Sequence, residues 1–183
     1  MQESHVLVLD FLPGGYAGER RPEPVAQAIG EEFFSLLELV IKEGEKINPG
    51  DRLELRADKR IKFIKRKLSL QDLTNMARSA LGKTIEEIIN KHEHKFVNFF
   101  NHATMVTPRM HQFELLPGIG KKHVGNILKE RSIKPFESFE DIEKRVKLMT
   151  NPIKIIKKRI LEEMEGNEKY YLFVLHARPH RRY

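Results

Sequence analysis

The sequence predicts an α+β chain of two domains, a small antiparallel β-barrel followed by an all-α domain. Three observations carry this. Residues 5–64 fall into short runs of strand type between turn signals. From Ser69 onward the apolar spacing changes to that of helices. No helical pattern separates the early strands, so they can close only as an antiparallel sheet or barrel. The 183 residues leave room for two small domains, and 40% hydrophobic with 32% charged residues suits packed cores under a solvated surface.

The first strand is expected at His5–Leu12, with Val6 and Val8 on one face and Leu7 and Leu9 on the other. Pro13-Gly14-Gly15 stops it, and a polar stretch through Pro22 and Pro24 follows. Val25–Ile29 is a short second strand ended by Gly30. Phe33–Lys42 is a third, apolar enough to be buried on both sides. Glu43-Gly44 and Asn48-Pro49-Gly50-Asp51 read as turns. Arg52–Arg56 then alternates, Leu53 and Leu55 inward, and Ile61–Ile64 adds a strand with Lys62 and Lys65 facing water.

Ser69 is the expected cap of a first helix, with the stripe Leu70, Leu73, Met76, Ala77, Ala80 and Leu81, ending at Gly82. Thr84-Ile85-Glu86-Glu87 reads as a capping box opening a second helix. Phe96, Val97, Phe99 and Phe100 form a third apolar segment, read as core in preference to a base-stacking platform. Thr107-Pro108 predicts a further helix start. Tyr170–Leu175 reverts to strand composition, and a strand over 169–178 is expected to return to the barrel.

The net charge of +7 is unevenly spread: residues 1–58 net −6, whereas residues 59–68 hold six bases and no acid. A basic surface beside an acidic lobe suits polyanion binding, with nucleic acid as first candidate. Without cysteine, disulfides, thiolate zinc sites and cysteine nucleophiles are excluded. No apolar run approaches membrane-span length and no signal-peptide layout opens the chain, so a cytoplasmic protein without membrane partners is expected. The eight histidines make no metal-ligand spacing, phosphate-binding-loop and nucleophile-elbow motifs are absent, and neither metal, cofactor nor catalytic residue is expected.

The informative stretch runs from Phe113 to Arg131, where Leu116-Pro117-Gly118-Ile119-Gly120 separates two helical patterns. Its glycines permit positive φ and close approach of another backbone, and Ile119 is expected to point inward. A helix beginning near Lys121 presents unpaired N–H groups and its positive dipole end, with Lys121 and Lys122 beside them.

This stretch resembles the helix-hairpin-helix motif of DNA-repair, recombination and competence proteins. The likeness continues through Lys134–Ile142, where Ser138 and Asp141 would cap the next helix. Val124 departs from it, standing where that family usually has alanine. A degenerate second hairpin is expected around Thr150-Asn151-Pro152, with Lys154, Lys157, Lys158 and Arg159 either tracking a backbone or forming a solvated face. As a whole the chain is similar to a family of uncharacterised archaeal proteins, which implies an OB-like (oligonucleotide-binding type) barrel joined to a helix-hairpin-helix domain. Asp141 stands where helix-hairpin-helix glycosylases place a catalytic aspartate, but it sits in a capping sequence and enzymatic activity is not expected.

The resulting layout is an OB-like barrel over 1–67, completed by 169–178, and an α-helical domain over 68–166. The latter holds the helix-hairpin-helix at 108–131 and the degenerate hairpin at 142–165, with a basic tail at 179–183. The expected function is sequence-nonspecific binding of DNA or RNA. Gly118, Ile119 and Gly120 would offer backbone N–H groups to phosphate, strengthened by Lys121 and Lys122. Lys59, Arg60, Lys62, Lys65, Arg66 and Lys67 would form a second basic surface, and Arg181 and Arg182 a third contact. The alternative is a protein–protein adaptor in a repair or translation assembly. Oligomeric state is left open.

Overall fold

The computed structural model describes residues 3–18, 20–147 and 151–175. It is a mixed α+β structure with a curled, antiparallel five-stranded half-barrel sheet and, among the described residues, five α-helices. The chain divides into two compact units. One holds residues up to Thr84 with Met164–Asn167 and the chain from Phe173; the other holds Ile85–Glu163 and Glu168–Leu172.

In the first unit the strands are β1 (His5–Leu12), β2 (Val25–Gly30), β3 (Leu36–Ile41), β4 (Arg52–Glu54) and β5 (Ile61–Lys67). Their order is β4-β1-β2-β3-β5, antiparallel throughout. Strands β4 and β5 are the edges, so the expected closed barrel is a half-barrel. One face buries Val6, Val8, Ala26, Ala28, Leu37, Leu39, Ile41 and Leu53, the residues that the period-2 pattern points inward.

The expected third strand starts three residues late. Glu3 explains the difference: its carboxylate accepts from the N–H groups of Glu32 (2.9 Å), Phe33 (3.1 Å) and Ser35 (3.0 Å). That holds Glu31–Ser35 in a tight turn with Phe34 at φ 55°. The carboxylate also lies against Gly30, where an added Cβ would meet it at 1.9 Å.

Opposite the apolar face, Gln27 and Glu38 are cross-strand partners and both fully buried. The Tyr16 hydroxyl donates to Glu38 at 2.5 Å, and Gln27 Nε2 donates to Tyr16 at 2.9 Å and to the Asp72 carbonyl at 3.0 Å. Burial, then the hydrogen bond to the Glu38 carboxylate, pushes the Tyr16 phenol up to about 12.

Ser69 and Asp72 cap only a short 3-10 helix, Leu70–Asp72. Helix α1 (Asn75–Lys91) begins at Thr74, whose Oγ1 accepts from Ala77 N–H at 3.1 Å and donates to Asp10 at 2.6 Å. It runs through Gly82, and Thr84 donates to the Ala80 carbonyl at 3.1 Å instead of capping a new helix. The two expected helices are therefore one, with Met76 on its outer side at 66% exposure. The compact division falls inside it, after Thr84, and not at residue 67, because its N-terminal end is hydrogen-bonded to the sheet through Gln27 and Asp10.

In the second unit, α2 (Glu93–His102) buries Phe96, Val97 and Phe100. Phe100 stacks on Phe113 with centroids 5.6 Å apart, so this segment is core. Thr107-Pro108 opens no helix: it turns a small hairpin of β6 (Met105–Thr107) and β7 (Met110–His111). A 3-10 helix, Gln112–Leu115, follows, then α3 (Lys121–Ile133), α4 (Phe139–Arg145) and α5 (Pro152–Met164). The Ser138 hydroxyl accepts from Asp141 N–H at 3.1 Å, which forms the expected cap of α4.

The strand expected over 169–178 is not formed in its described part. Residues 168–172 are instead held by α5: Arg159, 4% exposed, donates to Glu163 (2.8 Å), Glu168 (2.9 Å) and the Tyr170 carbonyl. Glu163 also accepts from Leu172 N–H at 2.7 Å. The backbone of Leu175 then donates to Phe33 at 3.2 Å. Residues 176–178 and the tail 179–183 lie outside the described residues.

Candidate nucleic-acid interface

Leu116–Ile119 has the geometry of a type II turn. Pro117 occupies the second position, Gly118 the third at φ 81°, and Ile119 N–H donates to the Leu116 carbonyl at 3.1 Å. The positive φ explains Gly118. Leu116 and Ile119 are both buried and anchor the turn to the core. Because its N–H closes the turn, Ile119 is not the phosphate donor that the motif suggested.

Gly120 is the N-cap of α3, at φ −98° and ψ 178°, an extended conformation open to any residue. The positive φ that the hairpin pattern suggests belongs to Gly118 alone. A Cβ at Gly120 meets nothing within 4 Å, so the fold itself does not require glycine there. Val124 N–H donates to the Gly120 carbonyl at 3.0 Å as the first helical hydrogen bond. The amides of Lys121, Lys122 and His123 precede it and receive no side-chain cap. Among the described residues no acceptor faces the amides of Gly118 or Gly120, and neither Lys121 nor Lys122 has an ion pair. Both lysines are exposed. The arm before the turn is the 3-10 helix Gln112–Leu115 and the β6–β7 hairpin, where 108–131 predicts an α-helix.

The second expected hairpin ends differently. Asn151, at φ 41°, turns its Oδ1 onto the Lys154 N–H at 3.0 Å, and Pro152 supplies no N–H at the first position of α5. The helix expected after Thr150-Asn151-Pro152 is formed, with asparagine before proline as its start. Along α5, Lys157 is paired with Glu86 and Arg159 is buried. Of the four cations expected there, Lys154 and Lys158 remain exposed.

The basic run 59–68 is largely answered by carboxylates, some neighbouring in sequence and some distant. Arg60 pairs with Asp58 (2.8 Å) and Asp51 (3.2 Å), and Lys62 with Glu23 (2.6 Å). Lys65 approaches Glu38 at 3.5 Å, and Arg66 approaches Glu38 at 3.5 Å and Asp72 at 3.0 Å. Lys59 and Lys67 are exposed without an ion pair among the described residues. Arg181 and Arg182 lie outside the described residues. Asp141, the position weighed for catalysis, accepts from Glu137 N–H at 3.1 Å and from Arg145 at 2.9 Å. Among the described residues no group of three or more metal-ligating side chains converges, and no helix is long and apolar enough to cross a membrane.

Fold and site together define an α+β protein with a curled antiparallel half-barrel sheet and an uncapped, lysine-flanked helix start. The chain belongs to the family described as "Protein of unknown function (DUF655)", which matches residues 2–175. It is 40% identical over 176 residues to the "Uncharacterized protein MJ0038" of Methanocaldococcus jannaschii, covering 94% of this chain and 80% of that protein. The crystal structure of Af1531 from Archaeoglobus fulgidus, described under the same family, matches with a TM-score of 0.85 at 44% identity, over 94% of this chain and 100% of that one. The expected kinship with an uncharacterised archaeal family therefore stands.

Proposed function

We propose that this chain binds DNA or RNA through the phosphate backbone, without sequence preference, using a helix-hairpin-helix type contact at Gly118, Gly120, Lys121 and Lys122. One observation carries the reading: α3 starts at a glycine the fold does not demand, with uncapped amides and two exposed, unpaired lysines. Uncapped amides at the positive end of a helix favour an anion, and the lysines add charge where it would sit. Gly120 leaves space through which phosphate oxygens reach the backbone.

Five antiparallel strands, partly open, with β4 beside β1 and not beside β3, support counting the sheet among OB-like barrels. Its cations are mostly neutralised, which directs the main contact to the hairpin. The adaptor reading rests on Ile133 and Met105, 70% and 53% exposed on the same unit.

A salt titration of binding to mixed-sequence duplex and single-stranded oligonucleotides separates the two. Phosphate contact gives a steep fall of affinity with salt, at similar strength for unrelated sequences. Negligible binding even at low salt sinks the nucleic-acid reading and moves the adaptor ahead.

A further inference from the structure

His111 ends β7 and caps the 3-10 helix that leads into the hairpin. Its side chain is buried, and Nδ1 accepts from Phe113 N–H at 3.1 Å, which assigns the ring proton to Nε2. The ring stacks on Phe113 with centroids 4.6 Å apart. The charged groups facing it are Arg131 from α3 and Glu114 from its own turn. Glu114 accepts from the His111 backbone N–H at 2.8 Å. Arg131 donates to the carbonyls of Phe100 (3.2 Å) and Ala103 (2.9 Å), and its guanidinium lies 5.8 Å from the Phe113 centroid.

From Phe113 a relay of backbone hydrogen bonds reaches the hairpin: Leu116 N–H donates to Phe113 at 3.0 Å, and Ile119 N–H to Leu116 at 3.1 Å. The next residue is Gly120. The imidazole lone pair thus stands at the head of the chain of contacts that orients the candidate anion site.

We propose that His111 is a positioning residue for the amides of Gly118–Lys122, and that protonating it releases the hairpin and weakens its hold on phosphate. The nucleic-acid part of this rests on the function proposed above; the conformational part does not. A protonated Nδ1 cannot accept, so two N–H groups would oppose each other, and a buried cation would appear beside the half-buried Arg131. Burial, and then the charge of Arg131, hold the imidazole pKa below its ordinary 6.5. The native state therefore keeps the ring neutral while the unfolded chain protonates, and stability falls as pH drops below 6.5.

The test follows the ligand-free full chain by NMR from about pH 7.5 to about pH 5. The His111 ring carbons and the amides of Phe113, Ile119 and Gly120 should titrate together. His111→Asn, whose Oδ1 accepts without titrating, should abolish the amide response. Hairpin amides that ignore the His111 titration overturn the proposal, and the wild type alone decides this if the variant fails to fold.

For a mixed-sequence duplex at fixed ionic strength, the wild type should bind about tenfold more weakly at the acid end. His111→Asn should instead bind more tightly there, since acidification otherwise only adds positive charge. His123→Gln, altering the histidine in the first turn of α3, should keep the wild-type loss. A loss that persists in His111→Asn, or disappears in His123→Gln, overturns the proposal. Amides that follow His111 in a protein that never binds duplex uphold the positioning role and sink the function.

Discussion

Helix α5 begins at Asn151, whose Oδ1 accepts from Lys154 N–H at 3.0 Å, and its first residue is Pro152, which has no N–H to satisfy. Helix α3 begins at Gly120, which has no side chain, and its first residues are Lys121 and Lys122. Both starts face the same shortage, since the first amides of any helix lack intrahelical partners. At α5 the chain's own atoms relieve it. At α3 only water or an external anion can, and the lysines favour the anion. A likeness of sequence pattern between two hairpins therefore does not make them equivalent sites; what occupies the first turn of each helix decides.

The sharpest way to break the comparison is Gly120→Val. At φ −98° valine is unstrained and its Cβ has open space, so stability in thermal unfolding should fall only by the cost of a poorer N-cap, about 1 kcal/mol. Oligonucleotide affinity should fall at least about tenfold, because the branched side chain stands between phosphate and amides. A folded Gly120→Val protein that binds like wild type makes the open helix end incidental.

Replacing Lys121 and Lys122 together by alanine should act more gently and evenly. We expect weaker binding to unrelated sequences alike and a salt slope reduced by up to about 2, measured by titration in increasing salt. A loss confined to one sequence means base readout and contradicts the phosphate assignment.

The complementary change is Asn151→Ala, which removes the cap of α5. It should cost about 1 kcal/mol in chemical denaturation, with some added strain at a positive φ, and leave affinity unchanged. Lost affinity without lost stability would show that α5 also contacts the ligand.

The smallest effect concerns the half-barrel, where charge is internally paired. Tyr16 is held at about 12 by burial and by Glu38, so the native state keeps its phenol neutral above the ordinary value of 10.0. Its contribution to stability is complete below pH 10 and is lost as pH rises toward 12. Ultraviolet titration should show one late-ionising tyrosine that is missing in Tyr16→Phe. If Tyr16→Phe removes no late-ionising phenol, the Tyr16–Glu38 contact is not maintained.

Much of this was legible in the chain itself. Alternation at His5–Val8 and Arg52–Leu55, the cap at Ser138 and the turn at Leu116–Ile119 depend on neighbours a few residues apart, and local hydrogen bonds and side-chain period settle them. Gly82 and Thr107-Pro108 misled because both residue types are permissive. Glycine tolerates a helix interior when apolar stripes on either side, such as Ala77, Leu81, Ile85 and Ile88, continue in phase. Proline suits a strand-joining turn as well as a helix start.

The candidate site divides in the same way. That a glycine hairpin precedes two lysines is a fact of sequence, as is the positive run at residues 59–68. Which of those charges remains available is not. Glu23 lies 39 positions from Lys62, and Glu38 28 from Arg66. Only folding brings them together, through the pairing of β5 with β3 and the buried carboxylate at Glu38. Local pattern determines which elements form. Whether Lys62, Lys65 and Arg66 are already paired depends on carboxylates distant in sequence, and so the tertiary structure decides it.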